Sequence, residues 1–384
     1  MKNSTRGAVD PFIVMDVMEA ARQAEAAGRH IIHMEVGQPA TPAPLGARNV
    51  LRDSLNATAM GYTVALGLPE LRAKIADLYG EWYDVDLDSN RVIVTSGASA
   101  GFLLSFTSLF DAGERVGIGA PGYPSYRQIL KALDLTAVDI PTSAANKFQP
   151  HPTDLADLSL NGLLVASPSN PTGTMLSRGE LGALIEATER SEAAFISDEI
   201  YHGIEYETKA VSALEITNNC YVINSFSKYF SMTGWRVGWM VVPENHIRQV
   251  ERLAQNMFIC APHASQVVAL AAMECREELI AYKAVYEKNR RLMIDGLPEA
   301  GFDRIAPPDG AFYIYADISH LTSDSLSFAR EILREAGVAV TPGLDFDTQR
   351  GAGSLRFSYA GSSEDIQEGL HRLKQFMQKK GFAA

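Results

Sequence analysis

The chain has 384 residues, 46% hydrophobic and 21% charged, the balance of a soluble globular protein long enough for two cores. A formal net charge of −12 argues against non-specific nucleic-acid binding, so recognition of a phosphate or carboxylate falls to single, placed arginines. The odd set Cys220, Cys260 and Cys275 forms no CxxC pair and suits neither a metal cluster nor a disulfide scaffold; the start, Met1-Lys-Asn-Ser-Thr-Arg6, has no apolar leader core, and no run approaches the roughly eighteen apolar residues that span a bilayer. The expectation is a soluble, cytoplasmic protein without membrane or nucleic-acid partners.

In chain order, Pro69-Glu70 opens a helical pattern carrying Leu71, Ile75 and Leu78, with proline and an acid in its first turn. Short apolar runs then recur between helical patterns: Val92–Val94, Val116–Ile118, Leu163–Ala166, Phe195–Ile196, Tyr221–Ile223 and Trp239–Val242. Runs of that length suit strands buried on both faces of a parallel sheet. The alternation predicts a doubly wound α/β domain over about residues 46–285. A long charged helical pattern over 282–297 leads into Ala311–Tyr315, a helix over 327–336, Val338–Val340, Leu355–Phe357 and a last helix, which reads as a smaller α+β domain.

The segment Ser225-Phe-Ser-Lys-Tyr-Phe-Ser-Met-Thr-Gly-Trp-Arg-Val-Gly238 directly follows an apolar run and combines an amine, hydroxyls, an arginine and glycines. A lone lysine is ordinarily a surface residue, but Lys228 in this setting is a candidate Schiff-base nucleophile, because burial and nearby positive charge lower an amine's pKa. Arg236 supplies that charge and a fork suited to phosphate. An amine beside a phosphate site suggests pyridoxal 5′-phosphate, which offers an aldehyde and a phosphate. Val92–Thr95 ends in Gly97, Ala98 and Ser99 and opens a helix, whose exposed first amides bind phosphate. Asp198, at the end of Phe195-Ile-Ser-Asp198, would pair with a protonated pyridine nitrogen, or serve only as a helix cap. Tyr201 and Asn170, the latter in Ala166-Ser-Pro-Ser-Asn-Pro-Thr-Gly173, are candidates for the ring's phenolic oxygen. Arg356, in Leu355-Arg-Phe-Ser-Tyr-Ala360, is either an outward-facing strand residue or the partner of a substrate carboxylate.

Taken together and in this order, these strings resemble the fold type I, class I/II aminotransferases that depend on pyridoxal phosphate and include aspartate aminotransferase. The resemblance runs from Gly37 to Arg356 and implies a large doubly wound, mainly parallel-sheet domain (46–285) plus a smaller α+β domain (1–45 and 286–384). It makes Gly97–Ser99 the phosphate cup, completed by Ser225, Ser227 and Arg236, and gives Tyr123 the stacking position over the ring. It places Gly37, Asn170 and Arg356 against the substrate. Tyr62 is implied to reach the phosphate of a second subunit, which makes the active unit a homodimer. Lys228, Asp198 and Tyr201 become the catalytic set for ping-pong transfer of an amino group from an L-amino acid to a 2-oxo acid. The same residues would also serve a C–S or β-lyase, or a racemase. A ligand-sensing domain without catalysis is the rival of a different class, disfavoured by the intact Lys228 and the lack of a helix-turn-helix or basic patch. Pocket residues are expected from the N-terminal segment and from 256–262. In Thr341-Pro-Gly-Leu-Asp-Phe-Asp347, many relatives carry glycine where this chain has Asp347.

Overall fold

A computed structural model describes residues 1–57 and 59–382. Helix α1 (Ile13–Ala26) is followed by a two-residue strand, β1 (Ile32–His33), then by α2 (Leu45–Ala57) and α3 (Pro69–Tyr83). Proline at the first position and Glu70 in the first turn start α3, and Asp84 in the left-handed conformation stops it. Its buried residues, Leu71, Ile75, Ala76 and Tyr79, keep helical spacing.

The main sheet comprises β2 (Val92–Thr95), β3 (Arg115–Ala120), β4 (Thr136–Pro141), β5 (Gly162–Ala166), β6 (Ala194–Asp198), β7 (Tyr221–Ser225) and β8 (Gly238–Val241), in the order β2-β8-β7-β6-β5-β3-β4. Pairings among β3 to β7 are parallel, whereas β8 runs antiparallel to both neighbours. Alternate residues go to opposite faces: Val92, Val94, Leu163, Val165 and Trp239 join one core, and Ile93, Leu164, Ile223 and Met240 the other. The first core is capped by α3 and the helices Arg178–Arg190 and His263–Ala272. The second is capped by α4 (Ala98–Leu109), α5 (Pro124–Ala132) and the helix Ile247–Met257. Burial of both faces explains the uninterrupted apolar runs. Strand β4 lies at the sheet edge and is mostly half-exposed, so Thr136-Ala-Val-Asp-Ile-Pro141 shows no such run, and the sequence reading passed over it.

A second layer holds β9 (Tyr313–Asp317), β10 (Val338–Ala339), β11 (Thr341–Pro342) and β12 (Ser354–Ser358). Strands β11, β12 and β9 form an antiparallel sheet against Arg276–Glu299, Ser325–Ala336 and Ser363–Lys379. Strand β1 pairs in parallel with β10, Ile32 opposite Val338, which brings Ile32 and Met34 into this layer's core. Among the described residues no helix is long and apolar enough to cross a membrane.

Candidate active site

The carboxyl ends of β2, β5, β6 and β7 share one edge of the main sheet, the edge where open α/β sheets place ligands. With residues of the second layer and the N-terminal segment they enclose a cavity of about 210 Å³.

Lys228 follows β7 by three residues, and its Nζ donates to the carbonyl of Gly37 while lying 5.5 Å from the centre of the Tyr201 ring. Burial, then the charge of Arg356 and, more weakly, of Arg236, pushes its ammonium down to about 7, with Asp198 opposing. A large share of this side chain is therefore free amine at neutral pH, the form that attacks a carbonyl or takes a proton. Asp198 closes β6 and is 3% exposed. The Tyr126 hydroxyl donates to its Oδ2 and the Ile200 amide to its Oδ1 at 3.1 Å. Burial raises the carboxyl to about 6 despite those bonds and Lys228, a cost that a cation at this position would offset.

Strand alternation turns Arg356 inward, opposite Tyr315 on β9, with 3% exposure. The outward-facing alternative is thereby excluded. Its Nη1 donates to Asn170 Oδ1 at 2.8 Å, and its Nη2 to the Glu35 carbonyl and, at 3.3 Å, to Thr341 Oγ1. The guanidinium lies 4.4 Å from the Tyr313 ring centre and 4.8 Å from that of Phe346, and its buried Nε has no protein partner. Neutral groups thus hold a charge that no carboxylate among the described residues pairs with directly, Asp345 acting on it only at longer range, which is what an incoming carboxylate requires.

Two glycines clear space. Gly97 has φ +77, and a Cβ there would stand 2.4 Å from Arg236 Nη2. At Gly37 a Cβ would stand 2.0 Å from the Tyr313 hydroxyl. Gly97 is the N-cap of α4 and makes no side-chain cap, so the first amides of the helix, at Ala98 and Ser99 on the cavity wall, remain open to an anion. Ser227 and Arg236 line the same end. Ser225 stands one step back: 2% exposed and off the cavity wall, it donates to Ser227 Oγ at 2.8 Å.

The profile of the family "Aminotransferase class I and II" matches residues 29–373. A valine–pyruvate aminotransferase of Mycobacterium tuberculosis is 44% identical over 378 residues, 97% of each chain. The chain belongs to the class I and II aminotransferases. The crystal structure of an aminotransferase from M. tuberculosis superposes with a TM-score of 0.96 at 43% identity, covering 99% of this chain and 100% of that one. Aspartate aminotransferase from Thermus thermophilus with maleate gives 0.91 at 28% identity, covering 98% and 99%. This aminotransferase is accordingly an enzyme that depends on pyridoxal 5′-phosphate and moves an amino group from an L-amino acid to a 2-oxo acid by ping-pong exchange.

The cavity of the aminotransferase fits that cofactor on its own terms. The uncapped start of α4 and Arg236 suit a phosphate, Asp198 suits a ring cation, and Lys228 supplies the amine. Of the residues singled out in the sequence, Gly37, Ala98, Ser99, Tyr123, Asn170, Asp198, Tyr201, Ser227, Lys228, Arg236 and Arg356 share this cavity. Tyr62 does not: it is 82% exposed. None of 256–262 lines it either. The sequence reading missed Tyr126, although it sits one helical turn after Tyr123 and packs against it, ring centres 5.2 Å apart. It also missed Tyr313, whose hydroxyl meets that of Tyr201 at 2.7 Å, because the partner comes from a distant strand. Asp347 leaves the cavity intact. It caps the turn at Gln349 and Arg350 and pairs with Arg350 at 2.8 Å, while Arg350 donates to the carbonyls of Thr142 and Ala120.

Proposed function

We propose that Lys228 is the nucleophile and proton carrier of this aminotransferase, and that Asp198, Tyr201 and Asn170 hold the ring of the cofactor. When bound, pyridoxal 5′-phosphate supplies an aldehyde and an electron-accepting ring. The amides of Ala98 and Ser99, the hydroxyls of Ser225 and Ser227, and Arg236 hold the phosphate, with Ser225 acting through Ser227; Gly97, whose own amide donates to the Thr95 carbonyl at 2.8 Å, serves by leaving room for Arg236. Tyr123 packs against the ring. Asp198 accepts the proton-bearing ring nitrogen as a charged hydrogen bond, and Asn170, its Oδ1 engaged by Arg356, keeps its NH₂ to donate. Arg356 binds the α-carboxylate over Gly37, which orients the Cα–H toward Lys228. Lys228, a large share of it free amine at neutral pH, takes that proton and holds it for return. The observation that carries the reading is the convergence of a depressed lysine, a raised aspartate and an unneutralised arginine on one cavity.

The homodimer belongs to this proposal as well. Leu45, Leu55, Tyr62, Val64, Met257 and Ile259 are exposed apolar side chains, and the Gly61 carbonyl meets His263 Nδ1 at 2.8 Å, so 61–64 and 257–263 form one surface that a second copy would cover. Tyr62 would then complete the phosphate site of the partner. The domain division at 285/286 is supported by the helix Arg276–Glu299, whose Leu279 packs in the first core and whose Tyr286, Met293 and Leu297 pack in the second. A cytoplasmic location suits a chain with free cysteines.

The test is borohydride trapping of the holoenzyme followed by peptide mapping, with single-turnover absorbance on amino acids for wild type and Lys228→Ala. A pyridoxyl group on Lys228, and 2-oxo acid released stoichiometrically by wild type with at least about a 10²-fold loss in the variant, is expected. A label on another lysine, or release of ammonia or thiol, overturns the assignment.

A further inference from the structure

The charge inventory of the cavity restricts both substrates, an argument that rests on the roles proposed above. Three cations line it, Lys228, Arg236 and Arg356, and each already has a use: the amine chemistry, the phosphate and the α-carboxylate. The wall left for a substrate side chain is built by the N-terminal segment. Phe12 precedes α1, Val14 and Met18 stand four apart on one face of that helix with Met15 between them, and Val36 adds a further apolar group. A helix start is normally a local source of positive charge, but here it is consumed: the amides of Ile13 and Val14 donate to the two oxygens of Asp345 at 2.9 and 3.2 Å. Asp345 is 4% exposed and places a carboxylate directly behind the apolar wall. Beyond the groups given roles above, Gln38 and Thr233 add neutral polar side chains to the lining.

A second, distal carboxylate on the substrate would therefore lose water against Phe12, Val14 and Met18 with a like charge behind them and, among the described residues of its own protomer, no uncommitted cation on the cavity wall to meet it. In ping-pong exchange the donor and the acceptor pass through the same cavity in turn, so the restriction applies to both. We infer that this enzyme exchanges the amino group between two monocarboxylic partners with uncharged, apolar side chains, and that dicarboxylic oxo acids are poor acceptors. The balance needs no outside reagent: the donor leaves as its 2-oxo acid, the acceptor leaves as the amino acid bearing the transferred nitrogen, and the two changes in oxidation level cancel. The reaction that supplies the acceptor must then be one that makes a monocarboxylic 2-oxo acid.

The test mixes the aminated holoenzyme with subsaturating pyruvate, 3-methyl-2-oxobutanoate, oxaloacetate or 2-oxoglutarate and measures the second-order rate constant of each half-reaction. Calorimetry of the unreactive acids 3-methylbutanoate and succinate gives a binding readout free of turnover. Monocarboxylates are expected to react, and 3-methylbutanoate to bind, at least about tenfold better than their dicarboxylic counterparts, and Met18→Lys to narrow both ratios at least about tenfold. Met15→Lys, at a more exposed position, takes its place if that variant does not fold. Dicarboxylates that react as fast as monocarboxylates, or a lysine on this wall that leaves both ratios unchanged, would overturn the inference while leaving the aminotransferase roles standing. A loaded enzyme that reacts with none of the four acids and carries no pyridoxyl group on Lys228 after borohydride trapping refutes the proposed roles themselves.

Discussion

Asp198 and Glu199 are chain neighbours at the end of β6, both buried and both raised by that burial, to about 6 and about 8. Yet they face different worlds. Asp198 lines the cavity with one donor on each oxygen. Glu199 points into the interior, where the Ala213 amide and the hydroxyls of Ser197 and Ser212 donate to it between 2.8 and 3.1 Å. Beside it, His202 is pushed down to about 4 by burial; its Nδ1 meets the Tyr83 hydroxyl at 2.6 Å and its Nε2 the Ser167 carbonyl at 2.8 Å. That second contact ties the segment carrying Asp198 and Tyr201 to the loop carrying Asn170. A buried carboxylate with donors from three residues braces a frame, and one left with acceptor capacity beside a cavity is a place to bind.

The largest expected effect in this contrast is on turnover. Asp198→Asn should lower kcat by about 10²- to 10⁴-fold with little change in Tm, whereas Glu199→Gln should leave kcat within about tenfold. Equal losses of kcat in the two variants would erase the distinction. On stability the order reverses: Glu199→Gln puts two amide protons where the protonated carboxyl has one, beside the Ser212 hydroxyl, and should cost about 1–3 kcal/mol, read from denaturant midpoints.

The pH dependence sharpens the same comparison. Burial holds the Glu199 carboxyl above its ordinary 4.5, so the folded chain keeps a proton that the unfolded chain releases between that value and about 8. This contribution to stability is present at low pH and falls as pH rises through the window. The stability gap between wild type and Glu199→Gln should therefore narrow from pH 5 to pH 8, and a gap that widens would contradict a raised Glu199. The smallest effect is expected at Tyr126→Phe, which deletes the donor to Asp198 Oδ2. Since that bond lowers the aspartate, its loss should move the acid limb of the kcat/KM profile upward by less than about one pH unit, with a few-fold drop in rate.

Sequence alone determined which residues reach the edge of the main sheet where the cavity lies. Lys228, Asp198, Asn170 and Gly97–Ser99 each follow an apolar run, and a strand buried on both faces delivers its next residues to one sheet edge. The doubly wound architecture was legible for the same reason, since the alternation of short apolar runs and helical patterns is local. Tertiary structure alone decided the rest. The reversed direction of β8 and the half-exposed edge strand β4 depend on which strands are neighbours, and periodicity does not encode that. The inward turn of Arg356 needed its placement opposite Tyr315, and its setting came from the Glu35 carbonyl and the Tyr313 and Phe346 rings. The apolar wall of Phe12, Val14 and Met18 reaches the cavity because Asp345, more than three hundred residues later, caps α1. Contacts of that span form only when the chain is folded, because they are set by the packing of whole layers and leave no periodic trace in either segment.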